Sequence, residues 1–181
     1  MSALPRMTAD ELLRLQPPHK STELLRGRMI VREPPSSLHG RYSATLCFLL
    51  LQHVHAARLG AVFGQDTGFH IAYDPDTVRA PDVAFVCSDR VHLLPATGYA
   101  RMAPDLVAEI LSPGDRPGVV LRKTREWLAA GVRLVWVIDP IRAVARMYGR
   151  DGTATLVPAD GELTGSDVLP LFRCRLRSVF E

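Results

Sequence analysis

Apolar residues recur at steps of three and four between residues 37 and 58, and at steps of two or in short unbroken runs through much of the chain after residue 60. The first pattern predicts an amphipathic helix with one buried stripe, the second a series of strands. The stripe consists of Leu38, Tyr42, Leu46, Leu49, Leu50 and Val54. Its helix should run from about Ser37 to Arg58, launched after Pro34, Pro35 and Ser36 and stopped at Gly60. Nearer the N-terminus, Thr8 followed three residues later by Glu11 is a capping-box pattern, so a short helix starts there and ends at Pro17 and Pro18. STELLRG and RMIVRE then read as a hairpin with Gly27 at its turn.

Beyond Gly60, AVFG, GFHIAY and PDVAFV are short segments rich in β-branched and aromatic residues, separated by Gly, Asp and Pro. Arg90 to Met102 reads as a loop with a helical turn, and LVAEIL as a buried type of strand. SPGDRPG is a loop leading into an amphipathic helix, VVLRKTREWLAA, stopped by Gly131. RLVWVID is apolar on both faces, the signature of a central strand covered on both sides. AVARMYG and TATLV form a hairpin around Asp151–Gly152, and the tail DVLPLFRCRLRSVFE adds a last strand or helix at an edge. Without repeats or a linker, residues 1–181 are expected to form a single domain. Its class is mixed α/β (α+β), a mixed sheet flanked by helices.

Composition narrows the function classes modestly. With 47% hydrophobic and 23% charged residues the chain is of the globular type, not the disordered type. A net charge of +3 permits a polyanionic partner without requiring one. Cys47, Cys87 and Cys174 are odd in number and widely spaced, which disfavours a disulfide framework or a structural zinc site and fits a reducing cytoplasm. The N-terminal residues carry charges where a signal peptide needs an apolar stretch, and the run within ATLCFLLL is too short to span a bilayer. A cytoplasmic protein without a membrane partner is the expectation.

The residues that break the apolar pattern carry the chemistry. Asp82 heads the strand DVAFV and shares a face with Ala84 and Val86; Pro81 sets it at a strand start or bend, where a simple turn role is the alternative. Glu109 lies within LVAEIL on the face of Val107 and Leu111. There it needs a cation, a hydrogen-bond network or a raised pKa, unless the strand is an edge with Glu109 in solvent. On the following helix, Val120, Leu121, Thr124, Trp127 and Leu128 form the buried stripe, with Arg122 and Glu126 pointing away into solvent. Lys123 and Arg125 flank the stripe, and periodicity does not choose which one turns its charge toward a site. His39 and His70 lack ligand-type spacing, and the six histidines are not expected to make the HxH or HExxH spacing of a zinc site. Ser112 sits in no GxSxG elbow, and the glycines form neither GxxxxGK[ST] nor GxGxxG, which disfavours nucleotide hydrolysis.

Taken in order, TELLRGRMIV, SSLHGRYSATL, RAPDVAFV, PDLVAEILSPGD, KTREWLAAGVRLVWVIDP and DVLPLF resemble the Uma-type family of proteins classed as restriction endonucleases, within the PD-(D/E)XK nuclease superfamily. The resemblance covers most of the chain and implies a restriction-endonuclease-like core. Asp82 then matches the first metal-binding acid, Glu109 the second, and the backbone carbonyl of Ile110 completes the metal site. The superfamily lysine is usually found two residues after the second acid, where this chain has Leu111; Lys123 on the next helix takes its place. Glu23 matches a recurrent glutamate and is a candidate outer ligand, and His39 a recurrent histidine. The implied activity is cleavage of phosphodiester bonds, in DNA, with Mg²⁺ or Mn²⁺ held by hard oxygen ligands. Lys123 would stabilise developing negative charge, and a homodimer would supply the two sites needed to cut both strands. The displaced lysine also admits an inactive nuclease-fold domain that binds nucleic acid or a protein partner.

Overall fold

The computed structural model describes residues 6–15 and 20–181. Its main element is a six-stranded sheet built from β3 (Gly60–Phe63), β6 (Val83–Cys87), β7 (Leu106–Ile110), β8 (Leu134–Asp139), β9 (Val144–Gly149) and β10 (Ala154–Val157), in the order β10-β9-β8-β7-β6-β3. All neighbours are antiparallel except β7 and β8, which pair in parallel from Leu106↔Leu134 to Ile110↔Ile138. A parallel pair needs a crossover. Helix α3 (Pro117–Ala129) provides it and packs on the sheet through Trp127.

The sheet is covered on both faces because its central strands are apolar on both. Leu134, Trp136 and Ile138 point to one layer with Leu46, Leu50 and Val54 of α2 (Ser37–Ala57) and with the C-terminal residues Leu169, Phe172, Leu176 and Val179. Val135 and Val137 point to the other, with Trp127, Val107 and Phe69. Each full burial of such a side chain contributes roughly 1.5–3 kcal/mol.

A second sheet, fully antiparallel, lies beside the first in the order β2-β1-β5-β4, from β1 (Ser21–Leu25), β2 (Arg28–Arg32), β4 (Phe69–Ala72) and β5 (Thr77–Arg79). Strands β1 and β2 form the expected hairpin, closed by Arg26 and Gly27 at φ 49° and 75°. Two successive positive φ values suit a tight two-residue turn, and glycine at the second position tolerates them without Cβ strain. With α1 (Ala9–Leu15), this sheet buries Leu12, Leu24 and Val78. The capping box at α1 is reciprocal, Thr8 N–H donating to Glu11 and Glu11 N–H to the Thr8 hydroxyl. The expected stop at Pro17 and Pro18 lies outside the described residues.

The structure departs from the sequence expectations at several points. GFHIAY joins a second sheet, where one mixed sheet was expected, because it pairs antiparallel with β5 as a hairpin. The tail forms a two-stranded ribbon of β11 (Glu162–Thr164) and β12 (Arg173–Arg175) followed by a 3₁₀ turn, where one strand or helix was expected. The buried face of α2 runs through His39, Ser43, Leu46, Leu50 and Val54, leaving Leu38 55% exposed. On α3, Lys123 is buried beside Thr124 and Trp127, whereas Leu121 is exposed. In both helices the buried stripe takes in polar residues at the position where it passes the candidate site.

Candidate active site

Strand register brings the two acids together. β6 and β7 pair as Val83↔Ala108, Ala84↔Val107 and Phe85↔Leu106. Extending that ladder by one residue sets Asp82 opposite Glu109, on the face covered by α3. Asp82 is therefore more than a turn residue. Its Oδ2 accepts the Ile110 N–H at 2.6 Å, which the ladder no longer pairs on that side. Oδ2 also lies 3.3 Å from His39 Nε2, and Oδ1 accepts from Gln65 Nε2 at 3.4 Å. β7 is an interior strand, so the edge-strand alternative for Glu109 does not hold.

Glu109 is held at both oxygens. Oε2 accepts from Lys123 Nζ at 2.8 Å and Oε1 from Trp127 Nε1 at 2.8 Å. Lys123 and Trp127 are one helical turn apart, so one face of α3 delivers both donors. Burial raises the Glu109 pKa; Lys123 opposes this, and the Asp82 and Glu23 carboxylates add to the rise. Burial alone would lower the Lys123 pKa, but Glu109 and Glu23 outweigh it and hold the ammonium above its ordinary value. Arg125 is exposed, so of the two flanking bases it is Lys123 that reaches Glu109 and Glu23.

Glu23 on β1 is 1% exposed and fully committed. Its Oε1 accepts the Ala80 N–H at 3.1 Å and lies 3.3 Å from Lys123 Nζ; its Oε2 accepts from Arg79 at 2.8 Å and Arg32 at 3.0 Å. Burial would raise its pKa, but Lys123, Arg79 and Arg32 more than reverse that and bring it down to about 2. A carboxyl with a depressed folded-state pKa contributes stability above its unfolded value, and that stability is lost as pH falls through the folded value. Acidification from pH 4.5 toward 2 should therefore remove on the order of 3 kcal/mol through this residue. Urea midpoints followed across that window should fall less steeply in Glu23→Gln than in wild type. Arg79 extends the network by bonding Glu126, which is thus a partly buried ion-pair partner and not the solvated residue expected from helical arithmetic.

His39 lies at the polar end of the α2 stripe. Its Nδ1 faces Gln65 Nε2 at 3.0 Å and its Nε2 faces the Ile110 carbonyl at 2.9 Å. Those partners fit the tautomer with hydrogen on Nε2, donating to Ile110 and Asp82, and the Asp82 hydrogen bond raises the ring's pKa. His70 stands outside the cavity, 3.3 Å from Asp76 and against Tyr73. His53 and His55 do make one HxH in the sequence. On a helix, residues two apart do not share a face, and His53 bonds the Pro170 carbonyl. Sequence reasoning missed Arg79, Gln65 and the Trp127 indole N–H. Arg79, in the run VRAPD, left a signal as a charge within a strand-like segment; Gln65, in an ordinary loop, left none.

One cavity of about 340 Å³ is lined by Asp82, Glu109, Ile110, Lys123, His39, Gln65 and Arg32 among others. Among the described residues no three His, Cys, Asp or Glu side chains are grouped to hold a metal ion. Two carboxylates with a backbone carbonyl nevertheless suit Mg²⁺, which uses one or two carboxylates and keeps several waters. Asp82 and Glu109, with side chains 18% and 12% exposed, remain open to the cavity. With Glu23 and Glu126 they make four carboxylates; Arg32, Arg79, Lys123 and Arg122 pair with Glu23, Glu109 and Glu126, and among the described residues no Lys or Arg pairs with Asp82. A carboxylate without a Lys or Arg partner at the cavity favours an added positive charge. The donor set therefore fits a hard divalent cation.

A mixed sheet with a parallel β7–α3–β8 crossover and paired acids on adjacent strands is the core of a restriction-endonuclease-like fold. The Uma2 family, described as "Putative restriction endonuclease", matches residues 9–177, and the chain belongs to that family. A crystal structure of a protein from Anabaena variabilis, described as a "putative nuclease belonging to DUF820", superposes with a TM-score of 0.80. The alignment covers 96% of this chain and 97% of that one at 20% identity, a likeness of fold. No curated protein matches the chain.

Proposed function

We propose that this protein is a divalent-metal-dependent nuclease that hydrolyses phosphodiester bonds in DNA. The observation that carries the reading is the meeting of Asp82 and Glu109, from adjacent strands, with Lys123 2.8 Å from Glu109 at the wall of a cavity. Family membership supports the same class of activity. Asp82, Glu109 and the Ile110 carbonyl would hold Mg²⁺, with Mn²⁺ as a substitute. When bound, the ion supplies charge neutralisation at the phosphate and a water of lowered pKa.

The protein's own groups do the rest. Lys123, kept protonated by two carboxylates, offers fixed positive charge to the oxygens that gain negative charge. Glu23 anchors Lys123, and Trp127 fixes the Glu109 carboxylate. His39 orients both the Asp82 carboxylate and the Ile110 carbonyl. Cutting both strands calls for two such sites, which a homodimer would provide. Cys47, Cys87 and Cys174 are free thiols, which suits the cytoplasm. Among the described residues no helix is long and apolar enough to cross a membrane.

Supercoiled plasmid, single-stranded DNA and RNA incubated with Mg²⁺, Mn²⁺ or chelator test the proposal. Nicked and linear plasmid should form with either metal and not with chelator. Lys123→Ala should lose about 10²-fold or more in rate, and Arg125→Ala should match wild type. Metal-independent or absent cleavage of DNA by folded protein would overturn the reading. DNA binding without product would then favour the non-cutting nuclease-fold alternative, and cleavage of RNA alone would move the substrate class.

A further inference from the structure

The cavity is a poor receptor for a polyanion as it stands. Among the described residues, Glu33, Asp66, Asp82, Glu109 and Asp115 line it, against Arg32, Lys123 and His39 on the basic side. Lys123 is spoken for: it is 11% exposed and sits between Glu109 and Glu23. His39 uses both ring nitrogens within the protein. Arg32 differs from both. It lies at the end of β2, the edge strand of the second sheet, and its side chain is 44% exposed. Its bond within the protein runs from Nη2 to Glu23 Oε2 at 3.0 Å. A guanidinium carries five N–H donors in a planar fork, so one edge can stay on Glu23 while the others face the cavity.

We propose that Arg32 is a substrate-contacting residue, held by Glu23 so that its free N–H groups bind a backbone phosphate of the nucleic acid entering the cavity. The assignment rests on the nuclease reading for the identity of the anion. Charge and geometry agree on it. Arg32 is the cavity cation with both exposure and unused donors, and arginine matches phosphate in a forked, charge-assisted bond. Because Arg32 and Lys123 share Glu23, a phosphate seated on Arg32 lies next to the Lys123–Glu109 pair.

Fluorescence anisotropy of a labelled DNA duplex, with Ca²⁺ in place of Mg²⁺ and across a range of salt, tests this. Wild type, Arg32→Ala, Arg32→Gln, Arg32→Lys and the distant Arg150→Ala are compared, each checked by thermal unfolding. Arg32→Ala should bind roughly tenfold more weakly, and its slope of log affinity against log salt should shrink by about one phosphate contact. Arg32→Gln, which keeps a hydrogen bond for Glu23 but no charge, should lose the same slope. Arg32→Lys should keep the slope, and Arg150→Ala should match wild type. In Mg²⁺, KM should rise with kcat little changed, as for lost ground-state binding. An unchanged salt slope in folded Arg32→Ala and Arg32→Gln would overturn the assignment and leave Arg32 as a counter-charge to Glu23. Duplex that is bound with the predicted slope change but never cut overturns the nuclease reading alone. Cutting with unaltered Arg32 variants overturns the Arg32 assignment alone, and a wild type that binds no DNA overturns both.

Discussion

Glu109→Gln should abolish metal-dependent cleavage, with a loss of about 10²–10³-fold or more, while the protein stays folded. The size follows from removing one of two charged ligands of a cation that stabilises the transition state by several kcal/mol, at roughly 1.4 kcal/mol per tenfold. The fold should survive the change because glutamine has the same shape, its carbonyl oxygen accepts from one of Trp127 and Lys123, and Glu23 still pairs Lys123, although its NH2 then faces the other donor and costs some stability. Calorimetric titration with Mg²⁺ or Mn²⁺ should show affinity falling together with activity. Full activity in this variant would remove Glu109 from the site.

Glu23→Ala should be the most destabilising single substitution in the network, by about 3–5 kcal/mol in chemical unfolding. It leaves buried cations without their shared partner, and stranded buried charges cost that much. Arg79 would keep only Glu126, and its Nε is already buried without an acceptor. Lys123 would keep only Glu109, and its pKa should drop as burial goes less opposed. Converting the hub to an apolar pair, Glu23→Leu with Arg79→Met, should recover part of the stability, since well-packed hydrophobes replace buried ion pairs at little cost. The same pair should still cleave slowly, because Lys123 would have lost one of its two anchors. Stability within 1 kcal/mol of wild type for Glu23→Ala would mean the hub behaves as a surface network.

Much of this arrangement is legible in the chain. The two acids announce themselves as charges inside apolar strands, and strand alternation already sets Asp82 with Ala84 and Glu109 with Val107, the residues that share their layer. RLVWVID is central because its stretch Leu134 to Ile138 is apolar on both faces and gains nothing by facing water. The choice between Lys123 and Arg125 is not legible, since both flank the stripe; the position of Glu109 on β7 decides it. The same pull draws His39 and Ser43 into the buried face of α2 in place of Leu38, which a count of apolar positions cannot anticipate. Arg79 and Gln65 become site residues only through contacts between segments far apart in sequence, such as Arg79 with Glu23 and Gln65 with His39. Such pairings are set by tertiary packing and leave no local period.

On the proposed reading, Asp82, Glu109 and the Ile110 carbonyl hold the cation on which cleavage depends. The most direct test is the position of Mn²⁺, located by anomalous diffraction from crystals soaked at a concentration that supports plasmid cutting. The ion should lie within coordinating distance of both carboxylates and the Ile110 oxygen, beside Lys123. An ion bound elsewhere, or none at that concentration in an active protein, would contradict the account.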